Sequence, residues 1–276
     1  MKKIVLAVLV NYGDEQLDYL QEVVTALKKF EKYRVTVVVH SNITLDQIKG
    51  IDQVKLFEKQ PGVRSLTDVL FKLKLGVKWT GRMFDLNLLP MTCRKTIVEA
   101  ANQYDYYIFS ENDHLWLEHH LDNFLEYEAI LPINRIAGLI QYEANESGKY
   151  FPGHHAHYDW DLDSIEVHGG KIFAHFTNVH QASFLISNTQ LSRILETKDF
   201  GNFLSKDSYS TKCRTNTDLY QYCGMKKLIC VSDFEENLIH HLPNIYINGD
   251  KGREKLRSEE KRMQEGVNKV LSKTPN

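Results

Sequence analysis

Tyr106-Tyr107-Ile108-Phe109-Ser110 runs without a break into Glu111-Asn112-Asp113-His114. An apolar, aromatic run of that length reads as a buried strand, and its exit carries two carboxylates at i and i+2. In an open α/β sheet, ligands bind beyond the carboxyl ends of the strands, where the strand order switches. Carboxylate oxygens placed there are hard ligands that suit Mg2+ or Mn2+, and such a cation bridges the oxygens of a bound diphosphate. The plainer alternative is an acidic turn that only solvates a loop. A guanidinium would complement the same diphosphate through its planar fork. Arg64, Arg82 and Arg94 are the candidates, and Arg94 is preferred because it lies on the helix that feeds this strand.

Two other groups of residues invite a chemical reading. Six of the 12 histidines fall between His154 and His180, including His154-His155-Ala156-His157. That spacing is not the i, i+4 pair of a zinc helix and no cysteine pair joins it, so a pH-sensitive or acceptor-facing loop is the better expectation. Tyr150-Phe151 and Tyr158-Asp159-Trp160 could shield a bound ligand and stack on its apolar face, or could simply be packing. Neither a Gly-x-Gly-x-x-Gly turn nor a Gly-x-x-x-x-Gly-Lys-Ser/Thr loop occurs, which disfavours a dinucleotide-binding Rossmann domain and a P-loop NTPase.

The elements that must position these residues alternate in the first half. Ile4–Val10 and Arg34–His40 read as buried strands, with Gln53–Glu58 a third. Between the first two, Leu17, Leu20, Val24 and Leu27 recur at helical spacing behind Asp14, a candidate cap. Leu66–Leu73 and Met91–Asn102 read as helices before the strand at Tyr106–Ser110. Strands separated by helices imply right-handed crossovers and a mainly parallel sheet. Asn11-Tyr12 and His40-Ser41-Asn42 then fall at strand carboxyl ends. The second half is less regular: a helix over Glu118–Ala129, strands at Ile136–Tyr142, Ile165–Val167, Lys171–Phe173, Ser183–Ser187 and Lys227–Val231, and helices at Thr189–Leu195 and Thr217–Cys223. The last stretch, Lys251–Lys273, sets Leu256, Met263, Val267 and Val270 at helical spacing among dense charge, a solvated helix held by one stripe.

Composition sets the outer bounds. The chain has 276 residues, 42% hydrophobic and 25% charged, which excludes global disorder. A net charge of −2 argues against binding nucleic acid or anionic membrane by bulk attraction. Cys93, Cys213, Cys223 and Cys230 form no Cys-x-x-Cys pair and read as reduced thiols. Lys2-Lys3 before Ile4–Val10 imitates a signal peptide, but the apolar run is short and no small-residue cleavage site follows. No transmembrane segment is expected, and the expected location is cytoplasmic, with room for peripheral association at the inner face of the membrane.

The segment Leu89-Pro90-Met91-Thr92-Cys93-Arg94, its helix, and Tyr104 through Asp113 resemble the approach to the acidic Asp-x-Asp metal motif of GT-A-type nucleotide-sugar-dependent glycosyltransferases. Here Glu111 replaces the first Asp, and Asn112 stands where a second acid is frequent. Thr217-Asp218-Leu219-Tyr220-Gln221-Tyr222-Cys223-Gly224, 105 residues beyond Asp113, is similar to the superfamily's later motif, in which an acid opens a helix. Ser232 through Asn244 looks like the region where many members place a metal-binding histidine. The resemblance covers about residues 3–248 in order.

What the resemblance implies is specific. The fold would be α/β, a GT-A-like (Rossmann-like) single domain with a mainly parallel central sheet, helices on both faces and a smaller acceptor-side lobe. Residues 1–113 would form the nucleotide-sugar-binding half and 114–250 the acceptor-side half, with 251–276 a charged C-terminal helical tail. Asp113 would be the metal ligand, joined by His240 or His241, with His241 preferred because it adjoins Leu242-Pro243. Glu111 would lie nearer the sugar or ribose. Asn11, Tyr12 and Asn42 would hold base and ribose, and Asp218 would deprotonate the acceptor hydroxyl.

The expected activity is therefore a metal-dependent transfer, using Mn2+ or Mg2+, of a sugar from a nucleotide diphosphate sugar to a glycan or glycoconjugate acceptor. A UDP-linked donor, inversion, and a place in surface polysaccharide biosynthesis are the preferred refinements. Two rivals stand beside it. One is a nucleotidyltransferase acting on sugar phosphates, although Val10-Asn11-Tyr12-Gly13-Asp14-Glu15 lacks the Gly-rich, cationic loop such enzymes carry. The other is a non-catalytic carbohydrate-binding protein of the same fold.

Overall fold

A computed structural model describes residues 2–57, 86–146, 148–151, 158–178, 182–197, 200, 215–216, 219–248 and 250–273, with side chains of the last helix described from residue 260 on. Asp218, Arg64, Arg82, the Leu66–Leu73 helix, Cys213, and His154, His155, His157 and His180 lie outside the described residues.

Aliphatic runs build the central sheet. β1 (Lys3–Asn11) pairs in parallel with β2 (Tyr33–Ser41), and β2 with β3 (Gln53–Leu56). On its other side β1 pairs in parallel with β4 (Tyr106–Glu111). The order is completed by β11 (Ser183–Ser187), antiparallel to β4 at the edge, giving β11-β4-β1-β2-β3. Every residue of β4 and residues 5–11 of β1 are buried, as covered parallel strands require. Helix α1 (Leu17–Lys28) carries the chain from β1 to β2, and α2 (Leu89–Glu99) delivers it to β4. These crossovers travel in opposite directions along the sheet, so right-handed connections set the two helices on opposite faces. The strand order therefore switches between β1 and β4.

Two smaller sheets flank this layer. β6 (Arg135–Ala137), β12 (Lys226–Cys230), β10 (Lys171–Phe176) and β9 (Trp160–His168) form one. The other consists of β5 (His114–Leu115), β13 (Leu238–His241), β7 (Ile140–Asn145) and β8 (Gly148–Tyr150). The remaining α-helices of the described residues are α3 (Glu118–Ile130), α4 (Asn188–Leu195) and α5 (Asp250–Ser272), and short 3-10 turns lie at Leu86–Leu88, Leu219–Cys223 and Phe234–Asn237. A second core joins Ile140, Phe151, Trp160, Phe176, Phe234 and Leu238 to Met263, Val267 and Val270 of α5. Met263, Val267 and Val270 of the terminal helix's apolar stripe are thus buried, while Glu260, Lys261 and Glu265 face solvent.

Several local expectations need correction. Asp14 does not cap α1: Gln16 holds that position without a side-chain hydrogen bond, because the chain turns through Gly13 (φ 96°) and Asp14 before the helix begins. Ile136–Tyr142 is not one strand. Gly138 and Leu139 carry the chain from β6 in one sheet to β7 in the other. A Cβ on Gly138 would sit 2.6 Å from the Lys227 side chain, so the close approach of β12 requires glycine there. Phe151 and Trp160 are core residues, the Trp160 ring lying 5.3 Å from Phe176, so packing is the role the structure gives them. Cys93, Cys223 and Cys230 are buried and unbridged.

Candidate active site

The strand tips are aligned by register. Asn11 lies opposite Ser41, and Val10 opposite Glu111, so the ends of β1, β2 and β4 form one rim at the strand-order switch. Hydrogen bonds run along that rim. Asn11 is wholly buried, and its amide donates to Ser41 Oγ (3.1 Å) and the Gly13 carbonyl (2.8 Å) while accepting from Asn112 Nδ2 (2.7 Å). His40, one residue back on β2, bridges Thr92 and Thr96 of α2 with its two ring nitrogens, at 2.7 and 3.0 Å. Burial, then the Lys55 charge, lowers its pKa to about 3, so this tie is made by a neutral ring.

Beyond the rim stand the acids. Glu111 and Asp113 are 8% and 4% exposed, so both carboxylates are largely withdrawn from bulk water. Glu111 Oε1 accepts from Asn216 Nδ2 at 3.0 Å, and the same amide reaches the Tyr12 hydroxyl at 3.3 Å. Burial of the Tyr12 hydroxyl, followed by the Glu111 charge, pushes that phenol well above its ordinary pKa and keeps it protonated. Asn216 sits two residues before Asp218 in the chain. Its neighbour Thr215 is anchored as well: the carbonyl accepts from the buried Arg94 guanidinium, and Oγ1 donates to the Asn87 carbonyl at 2.6 Å. Arg94 itself is fully buried, with Nη1 3.0 Å from the Met91 sulfur.

Asp113 is enclosed by imidazoles. β5 begins at the next residue and pairs antiparallel with β13, His114 facing His241 and Leu115 facing His240. The Leu242 N–H donates to the Asp113 carbonyl at 2.9 Å, closing the turn. Asp113 Oδ1 lies 3.3 Å from His114 Nδ1, and Oδ2 lies 3.4 Å from His241 Nε2. On its far side His241 Nδ1 meets Glu143 Oε1 at 2.6 Å. Burial opposes charge on His241, but the hydrogen bonds and charges of Asp113 and Glu143 outweigh it and raise its pKa to about 9. His240 points the other way, as alternation along a strand requires, stacking on Tyr142 at 5.0 Å and bonding Asn244 at 3.1 Å. α3 steadies β13 through His120, which accepts from the Leu117 N–H and bonds the Leu238 carbonyl at 3.1 Å.

The donor set is the kind a divalent cation takes. One ligand atom from each of Glu111, Asp113 and His114 lies within 4.8 Å of the others, all three residues buried. Buried carboxylates without a cation are costly, and oxygen with imidazole nitrogen suits Mn2+. Asn42 follows β2 on the same rim, its Oδ1 buried with no hydrogen-bond partner among the described residues. Asn11, Tyr12, Asn42, Glu111, Asp113 and His241 are thus gathered at one end of the sheet, with Arg94 beneath, holding Thr215. Sequence reasoning missed Glu143, Asn216 and His114. Only His114 had a signal, its adjacency to Asp113.

No family model and no curated protein matches the chain. Solved structures do. The crystal structure of S. aureus TarS 1-349 is 13% identical at a TM-score of 0.45, covering 99% of this chain and 72% of that one. GalNAc-T7, solved with UDP, GalNAc and Mn2+, is 10% identical at a TM-score of 0.50, over 87% of this chain. The mannosyltransferase PcManGT from Pyrobaculum calidifontis, in complex with GDP-Man and Mn2+, is 10% identical at a TM-score of 0.44 over 100% of this chain. The chain spans 44% of the GalNAc-T7 chain and 66% of the PcManGT chain. The chain shares the α/β fold of GalNAc-T7. No helix among the described residues is long and apolar enough to cross a membrane.

Proposed function

We propose that the protein is a metal-dependent glycosyltransferase that moves a sugar from a nucleotide diphosphate sugar, UDP-linked by preference, to a glycan or glycoconjugate acceptor in surface polysaccharide biosynthesis. The observation that carries this reading is the position of Asp113. It is buried beyond the carboxyl end of β4, at the strand-order switch, with Glu111, His114 and His241 around it. The fold likeness to GalNAc-T7, a protein solved with UDP, GalNAc and Mn2+, supports the same class of ligands here.

Asp113 and His241 would hold Mn2+ or Mg2+, with His114 in reach and Glu111 nearer the sugar or ribose. A cation so held supplies Lewis-acid stabilisation to the charge that develops on the leaving diphosphate. Tyr12 and Asn42, on the rim formed by β1 and β2, would face base and ribose, the orphan Oδ1 of Asn42 accepting a ligand N–H or O–H. Asn11 and Arg94 act from below by fixing the rim and the segment that leads to Asp218. Asp218 would take the acceptor hydroxyl proton as that oxygen attacks the anomeric carbon and the carbon–oxygen bond to the diphosphate breaks, which inverts the centre. Residues 1–113 then form the donor half and residues 114–250 the acceptor half.

Incubating the purified protein with a panel of nucleotide sugars, with and without Mn2+, tests the reading. Mn2+-dependent release of a nucleoside diphosphate supports it. Release of pyrophosphate would instead indicate a nucleotidyltransferase, and no turnover of any donor would leave a carbohydrate-binding protein.

A further inference from the structure

The geometry points to Glu143 as a positioning residue for the metal site, acting through His241. This inference rests on the metal-site reading above. Glu143 lies on β7, which runs parallel to β13 with Tyr142 abreast of His240, so the next residue of each strand brings Glu143 beside His241. The side chain is wholly buried, and each carboxylate oxygen has a separate task. Oε1 meets His241 Nδ1 at 2.6 Å. Oε2 accepts the N–H groups of Tyr246 and Ile247 at 2.9 and 2.7 Å.

A carboxylate can only accept, so Nδ1 must carry the proton in this bond. The neutral imidazole then presents the bare lone pair of Nε2, the nitrogen 3.4 Å from Asp113 Oδ2. A carboxylate behind a histidine in this way fixes the tautomer and raises the basicity of the ligating nitrogen, and losing such a partner costs metal affinity about 10–100-fold. The second oxygen pins the chain just after β13, so the same residue fixes both the ring and the backbone downstream of it. The side chain belongs to neither the acidic turn nor the histidine strand, and reaches the site only through the parallel pairing of β7 with β13.

Glu143→Gln separates the two tasks. Its amide oxygen can still accept the Tyr246 and Ile247 N–H groups, while its NH2 can only donate to Nδ1. The ring must then carry its proton on Nε2, facing the cation. Mn2+ titrations followed by electron paramagnetic resonance, with thermal melting of each variant, read the result. The expected outcome is a near-wild-type melt and Mn2+ binding weakened about 10–100-fold. In a His241→Ala background the same change should weaken Mn2+ binding no further. Unchanged affinity in Glu143→Gln, or an equal loss with His241 present and absent, overturns the assignment. If the Glu143→Gln change prevents folding, Glu143→Asp, which keeps the charge but retracts it by one methylene, must show the same dependence on His241. Wild-type protein that binds no Mn2+ overturns the metal-site reading and this assignment together, whereas failure confined to the Glu143 variants overturns this assignment alone.

Discussion

His114 and His241 face each other across the β5–β13 ladder, with ring centroids 5.4 Å apart and Asp113 in contact with both. Residues 127 positions apart in the chain thereby enclose one carboxylate. The consequences are measurable.

Asp113→Asn should abolish Mn2+-dependent turnover of the donor while the protein remains folded, since the amide keeps the shape but loses the charge that balances a cation. Donor hydrolysis with and without Mn2+, beside a circular dichroism melt, checks this. Normal turnover by the variant would remove Asp113 from the metal site.

The metal-free protein should lose stability as pH rises through about 9, the pKa to which Asp113 and Glu143 raise His241 against the effect of burial. A pKa raised on folding stabilises fully below the unfolded value near 6.5 and progressively less above it. Melting of the metal-free protein between pH 6 and 10 should show that fall, and His241→Asn should flatten it. Bound Mn2+ should flatten it too, because a ligand nitrogen must be deprotonated before it can coordinate.

Asp218→Asn should spare donor binding and slow transfer by roughly 10²–10⁴-fold, the usual worth of a general base. Calorimetry on the donor and single-turnover transfer separate the two effects. Lost donor affinity with normal transfer of bound sugar would contradict the assigned role.

Gly266→Ala should destabilise the protein by about 1–3 kcal/mol, the ordinary cost of overpacking. A Cβ at this position of α5 would lie 2.5 Å from Trp160 Cδ1 and 2.9 Å from its Nε1, and that ring is buried. Denaturant unfolding measures the loss, while Mn2+ affinity should be unchanged because the contact is confined to the second core.

Most of the central sheet was legible because its signal is local. Ile4–Val10, Arg34–His40 and Tyr106–Ser110 are unbroken apolar runs, and parallel strands covered on both faces leave such runs. The β9–β10 hairpin extends well beyond the strands that its sequence pattern predicts. Asp161, Asp163 and Glu166 dilute its pattern, although Gly169-Gly170, both at positive φ, is the two-residue turn that should have revealed it. Of the candidate site, Asp113 and His241 each sit in a stretch that is recognisable in the sequence. Glu143 does not. Nothing around Tyr142-Glu143-Ala144 distinguishes it from an ordinary strand acid, and its burial exists only because β7 pairs with β13.

That pairing also bears on how the molecule could breathe. His114 is in register with His241, the Leu242 N–H bonds the Asp113 carbonyl, and Glu143 clasps the chain at Tyr246 and Ile247. The seam at Asp113 is stitched by main-chain bonds as well as by side chains, so it cannot act as a hinge without dismantling the ligand cradle. Under the proposed function, any movement that admits an acceptor or lets a spent nucleotide depart has to leave β5 and β13 joined and flex elsewhere.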